Sequence, residues 1–218
     1  MTRLFNNCLP PARRRFAAVA VVVVVASMVL ACGSAPVTHF HTLLPAPDSA
    51  GQRASASVPA VPWELLPVTI PAQLDQPQWV VRAADDTLAV LEQERWIAPL
   101  ADEIRAAVSD RLTATLGLPG APAKPGDHDA WRVRIEVQRL ESAPGRYARL
   151  EATWELRGAD ARALFTCRGA YQQRVEPGYA ALAAGHRQAV VRLADAVGSA
   201  LLATREGPGR KCPAEASP

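Results

Sequence analysis

The chain has 218 residues, 49% of them hydrophobic, which is enough apolar side chain for one sizeable core. Its formal net charge of +3 comes from the N-terminus: without Arg3, Arg13, Arg14 and Arg15, 20 basic residues face 21 acidic ones. A near-neutral remainder does not support the basic patch that nucleic-acid binding draws on, so no nucleic-acid partner is expected.

Arg13, Arg14 and Arg15 stand ahead of an apolar run from Phe16 to Leu30, which leads into Val29-Leu30-Ala31-Cys32. Positive, apolar and small residues in this order form a secretory signal, and a cysteine directly after the small Ala31 matches a bacterial lipoprotein acceptor site. The rival reading is a membrane span. Fifteen residues at about 1.5 Å each cover roughly 22 Å, short of the roughly 30 Å hydrocarbon core, so cleavage is predicted instead. The expected organisation is a signal peptide over 1–31, cleaved between Ala31 and Cys32, then a lipidated tether over 32–36. A folded domain over 37–205 and a flexible tail over 206–218 follow. Each buried methylene of an acyl chain contributes about 0.8 kcal/mol, and more than one chain makes attachment stable. Gly33, not Asp, follows the cysteine, a pattern associated with export to the periplasmic face of the outer membrane.

With Cys8 in the signal and Cys32 acylated, Cys167 and Cys212 remain. A pair in an oxidising compartment permits a disulfide, which would staple the tail to a strand; Cys167 also suits a small buried apolar position.

After the tether, Val37 to Leu44 reads as a strand, and 45–62, rich in Pro, Ala and Ser, reads as a loop. Strand character returns over Trp63 to Ile70, Trp79 to Ala83 and Thr87 to Gln93, with Asp85-Asp86 as the turn between the last two. Leu100, Ile104, Val108, Leu112 and Leu116 recur every fourth residue and predict an amphipathic helix over Pro99 to Leu116, stopped by Gly117 and Pro119. A Gly/Pro-rich loop follows, over Leu118 to Ala130. Three strands then alternate apolar with polar residues: Trp131, Val133, Ile135 and Val137; Leu150, Ala152, Trp154 and Leu156; Ala163, Phe165, Cys167 and Tyr171. Pro144-Gly145 and Gly158-Ala159-Asp160 supply turns too short for a parallel crossover, so this meander is antiparallel. A last helix spans Gly178 to about Thr204, with Leu182, Val190, Leu193, Val197 and Leu201 on one stripe. The expected class is α/β: a two-layer sandwich, its sheet mostly antiparallel, with two amphipathic helices on one face.

Two segments go beyond fold class. The run Leu66-Pro67-Val68-Thr69-Ile70-Pro71-Ala72-Gln73-Leu74-Asp75-Gln76-Pro77-Gln78 resembles a characteristic segment of the ABC-type transport auxiliary lipoprotein family, also called PqiC-like. Glu94-Arg95-Trp96-Ile97-Ala98-Pro99-Leu100 is similar to the start of that family's first helix. The resemblance extends from Val37 to about Ala203, and the order of anchor, strands, motifs, meander and closing helix agrees. The chain departs from the pattern at Gln76, where arginine is usual, and at His39-Phe40-His41, where a tyrosine-containing strand is usual. Leu74, Asp75, Pro77, Gln78, Arg95, Trp96, Pro99 and Leu100 are therefore candidate partner-binding or structural residues. Read from the residues alone, Pro71 and Pro77 bound a strand, Asp75 bonds nearby backbone, and Trp96 fixes the start of the helix.

The resemblance implies an envelope lipoprotein that works with an MCE-domain protein and an ABC permease and ATPase in lipid transport, and that can assemble into homo-oligomeric rings. Hydrolysis of ATP falls to another subunit, since no G-x-x-x-x-G-K-[ST] loop occurs. A structural or pilot-type lipoprotein that assists another outer-membrane complex is the alternative. No G-x-S-x-G, H-E-x-x-H or paired C-x-x-C motif is present, and an enzyme is not expected. His39 and His41 share one face of a strand, but two histidines with no third ligand nearby are not read as a metal site. No cofactor is expected.

Overall fold

The computed structural model describes residues 36–46, 61–117, 119–122, 130–158, 164–204 and 212. The chain divides at Val37, and the unit Thr38–Pro218 carries every strand and helix named below. Ala31, Cys32, most of the tail, and Ala159 and Asp160 of the third predicted turn lie outside the described residues.

Among the described residues, seven strands and two long helices make up the α/β arrangement. In chain order they are β1 (His39–His41), β2 (Trp63–Leu65), β3 (Gln78–Arg82), β4 (Leu88–Trp96), α1 (Leu100–Leu116), β5 (Trp131–Ala143), β6 (Tyr147–Arg157), β7 (Leu164–Arg174) and α2 (Tyr179–Ala203). The strands divide into two sheets, ordered β1-β4-β3 and β2-β5-β6-β7. The three hairpin pairs β3/β4, β5/β6 and β6/β7 are antiparallel, as short connections require, whereas β1/β4 and β2/β5 are parallel. Helix α2 lies against β5, β6 and β7 and α1 packs on α2, so both helices serve one side of the large sheet.

The meander follows from its period-2 pattern. Val133, Ile135, Leu150, Ala152, Trp154 and Leu156 are all buried while their neighbours face outward. Fully removing such a side chain from water is worth about 1.5–3 kcal/mol, so this one face dominates the core. Leu100, Ile104, Val108, Leu112 and Leu116 bury the predicted stripe of α1, and Leu182, Val190, Leu193, Val197 and Leu201 that of α2. Pro99 sits at the N-cap, one position before the helix proper. Gly117 ends the helix in the left-handed region (φ +72°), where a residue without a Cβ is unstrained, and its N–H bonds Thr113 O at 3.0 Å.

Two predicted strands prove shorter. β1 stops at His41 because the next residues turn toward a side chain: Thr42 Oγ1 and the Leu43 N–H both donate to Glu103 Oε2 at 2.7 Å. The Trp63 to Ile70 segment leaves regular pairing after Leu65, at Pro67, which has no N–H to give. It still follows β5, through Leu66 N to Val133 O, Thr69 N to Ile135 O and Val137 N to Thr69 O.

The two sheets are joined by charge as well as by apolar contact. Arg82 of β3 donates from Nε to Glu141 Oε1 of β5, and Tyr147 of β6 donates its hydroxyl to the same oxygen at 2.7 Å. Burial pushes the Glu141 carboxyl up, but the bonds from Arg82 and Tyr147 outweigh it and hold the group below the ordinary carboxylate range.

Candidate functional site

The two sequence motifs, about twenty residues apart, meet across the β3/β4 pair. Gln78 pairs with Arg95, and the Trp96 N–H donates to Pro77 O at 2.9 Å. Between Gln78 and Trp79 the register shifts, so Trp79 faces Leu91 while Gln78 faces Arg95. That irregularity reverses the alternation along β4: Ala89 and Leu91 pack inward at one end, Glu94 and Trp96 at the other.

Around Trp96 the junction is packed tightly. Its ring lies 4.6 Å from that of Trp79, which lies 4.4 Å from His41, and Trp96, Leu100 and Leu74 border a space of only about 10 Å³. Trp96 and Leu100 are buried, whereas Asp75, Pro77 and Pro99 are exposed and Gln78 and Arg95 half-buried. Leu74 closes a 3-10 turn over Ala72–Leu74, and the Asp75 N–H donates to Ala72 O at 3.1 Å. The motif therefore has an inner part, Leu74, Trp96 and Leu100, that holds the small sheet to α1, and an outer part, Asp75, Pro77 and Pro99, that is presented to solvent.

His39 and His41 do share a face, and they converge on one carboxylate. Glu94 Oε1 accepts from His39 Nδ1 at 2.9 Å and Glu94 Oε2 from His41 Nε2 at 2.5 Å. Burial pushes the Glu94 carboxyl up, but the bonds from His41 and His39 outweigh it and hold it below the usual range. The three side chains thus satisfy one another and fasten β1 to β4. Among the described residues no group of three or more His, Cys, Asp or Glu side chains is arranged to hold a metal ion.

Behind this clamp lies a polar pair that the motif reading missed. His186 on α2 is fully buried and its Nε2 lies 2.8 Å from Ser142 Oγ on β5, with the centroids of the Trp79 and Trp96 rings 6.2 Å from its own in edge-to-face arrangements. Burial pushes the imidazole down to about 4, so it is neutral near pH 7. A signal existed in the sequence: His186 stands four residues from both Leu182 and Val190 and thus continues the apolar stripe of α2.

A cleft of about 430 Å³ opens between β2 and α1, bordered by Trp63, Glu64, Asp102, Arg105, Ser109 and Gly120. Two of its charged groups are engaged: Glu64 pairs with Arg132 at 3.2 Å, and Arg105 donates to Leu65 O at 3.4 Å. They do not form the nucleophile, base and orienting group that covalent catalysis combines. Cys167 on β7 and Cys212 are joined by a disulfide with a Cα separation of 5.6 Å, which ties the tail to the meander.

Comparison with known proteins agrees with this geometry. A solved structure of an uncharacterized protein is similar over 66% of this chain and 95% of its own, with 15% identity and a TM-score of 0.57. A crystal structure from Xanthomonas campestris, assigned to the DUF330 family, is similar over 78% of this chain and 97% of its own, with 22% identity and a TM-score of 0.53. At these identities the likeness speaks for the fold alone. No curated protein matches the chain in sequence. A family model described as the ABC-type transport auxiliary lipoprotein component matches residues 41–198, a span that contains both motifs, the meander and most of α2. The chain belongs to the ABC-type transport auxiliary lipoprotein family.

Proposed function

We propose that the protein is the outer-membrane lipoprotein of an MCE and ABC-type lipid transport system, and that it docks the periplasmic end of the conduit at the membrane that carries its anchor. The family match over residues 41–198 is the observation that carries this reading, because it covers nearly the whole folded unit. Further support comes from the acceptor sequence Leu30-Ala31-Cys32 and from the solvent-facing residues Asp75, Pro77 and Pro99 of the motif junction. Acylation of Cys32 after cleavage behind Ala31 would hold the domain close: only Gly33 to Pro36 separate the lipid from Val37, about 14 Å of extended chain. A short tether suits a docking station better than a ranging carrier. In this role the protein contributes surface and position, and ATP hydrolysis belongs to a separate subunit.

The test is crosslinking in intact cells followed by affinity capture of the protein from membranes. An MCE-domain protein is expected in the captured complex. Its absence, under conditions that preserve other envelope complexes, would refute the reading, and capture of secretin or pilus subunits instead would favour a pilot role.

A further inference from the structure

The outer face of the β1-β4-β3 sheet carries large apolar side chains beside the strand that follows the anchor. Phe40 of β1 pairs with Arg95 of β4, and Ile97 lies two residues beyond Arg95. At the end of β4 Glu94 and Trp96 are buried, while Arg95 is half-buried and Ile97, one residue past the strand, is exposed. Phe40 is 58% exposed and Ile97 59%. Phe40 and Ile97 are exposed around the half-buried Arg95, whose Nε donates to Glu92 O at 3.1 Å, so this end of the sheet presents an apolar surface with a cationic group at its edge.

We propose that Phe40 and Ile97 seat this end of the domain in the headgroup and acyl boundary of the anchoring membrane. The occupant follows from the chain itself. Eight peptide links at roughly 3.5 Å separate Cys32 from Phe40, so the pair stays within about 28 Å of the acylated cysteine. Tethering at that distance makes the bilayer the apolar phase at highest effective concentration for these side chains. Aromatic side chains and arginine suit this layer, where one part of a group is wet and the other dry. Seating would turn a point attachment into two and would fix which face of the domain looks away from the membrane. The proposal rests on the lipid-anchor reading above, and its test separates the two.

Full-length acylated protein carrying Ile97→Cys, or Gln188→Cys on the exposed side of α2, would be spin-labelled and placed in phosphatidylethanolamine and phosphatidylglycerol vesicles. Collision with oxygen, which concentrates in lipid, is compared with collision with a water-soluble nickel complex. The label at 97 is expected to lose nickel collisions and gain oxygen collisions on vesicle binding, while the label at 188 stays water-accessible. Equal water access at both positions, with mass spectrometry showing acyl chains on Cys32, would overturn the seating and leave the anchor intact. Shielding of the label at 97 from both agents would overturn it in favour of a protein occupant, and absence of acyl chains on Cys32 would overturn both readings.

Discussion

Glu94 Oε2 accepts a hydrogen bond from His41 Nε2 at 2.5 Å, and this contact fastens the first strand of the domain to its neighbour in a largely buried setting. His39 completes the clamp on the second carboxylate oxygen. Because the Glu94 carboxyl is held below its ordinary value, its contribution is fully present above about pH 4.5 and is lost as pH falls through the lowered folded value. Glu94→Ala leaves His41 without its partner and should destabilise the domain by about 2 kcal/mol at neutral pH. Amide exchange should quicken first in His39–His41. Unchanged exchange there would contradict the clamp.

His186 makes a second, separately measurable pH dependence. Its folded value of about 4 lies below the ordinary 6.5, so between these limits the unfolded chain binds more protons. Stability should therefore decline as pH falls from 6.5 toward 4, by on the order of 3 kcal/mol from this group. A His186→Gln variant should lose that slope even if its stability at neutral pH is lower, and urea denaturation across the pH series reads both effects.

Helix α2 approaches the meander at Gly185. A Cβ there would lie 2.4 Å from Cγ1 of Val175, just past the end of β7, and 3.0 Å from Cβ of Ala148 on β6. Gly185→Val should cost about 1–3 kcal/mol through overpacking, despite the better helix propensity of the new residue. A thermal midpoint equal to or above that of the parent would show that the helix can shift without loss.

Inner and outer motif residues should separate by phenotype. Trp96→Ala removes a buried ring from the Trp79 and His186 cluster and should lower stability by about 3–5 kcal/mol. Asp75→Ala touches an exposed side chain and should change stability by less than about 0.5 kcal/mol. If the outer residues meet the transport partner, Asp75→Ala weakens capture of that partner with the fold intact. Equal loss of stability in both variants would contradict the division.

Periodicity made the helices and the meander legible, because Leu100 to Leu116 and Val133 to Leu156 show one buried face each and need no distant partner to be recognised. The parallel pairing of β1 with β4 and β2 with β5 was not legible, since it joins segments whose lengths and ends are set by contacts far along the chain. Glu103 illustrates this: it ends β1 from a helix about sixty residues away. Trp96, expected to fix the start of the helix, closes strand β4 and is buried against Trp79. The convergence of His39 and His41 on Glu94 depends on the register of β1 against β4, to which a single strand gives no clue. His186 was hidden differently: it occupies an apolar stripe as a polar residue, and its partner Ser142 lies on the meander.

The proposed docking role is tested most directly by asking whether this chain holds an MCE-domain protein at the outer membrane. After crosslinking in intact cells, that protein should appear in the outer-membrane fraction when the wild-type chain is present, and the link should be lost with Cys32→Ala, which cannot be acylated. An unchanged amount of crosslinked MCE-domain protein in cells lacking this chain would contradict the account.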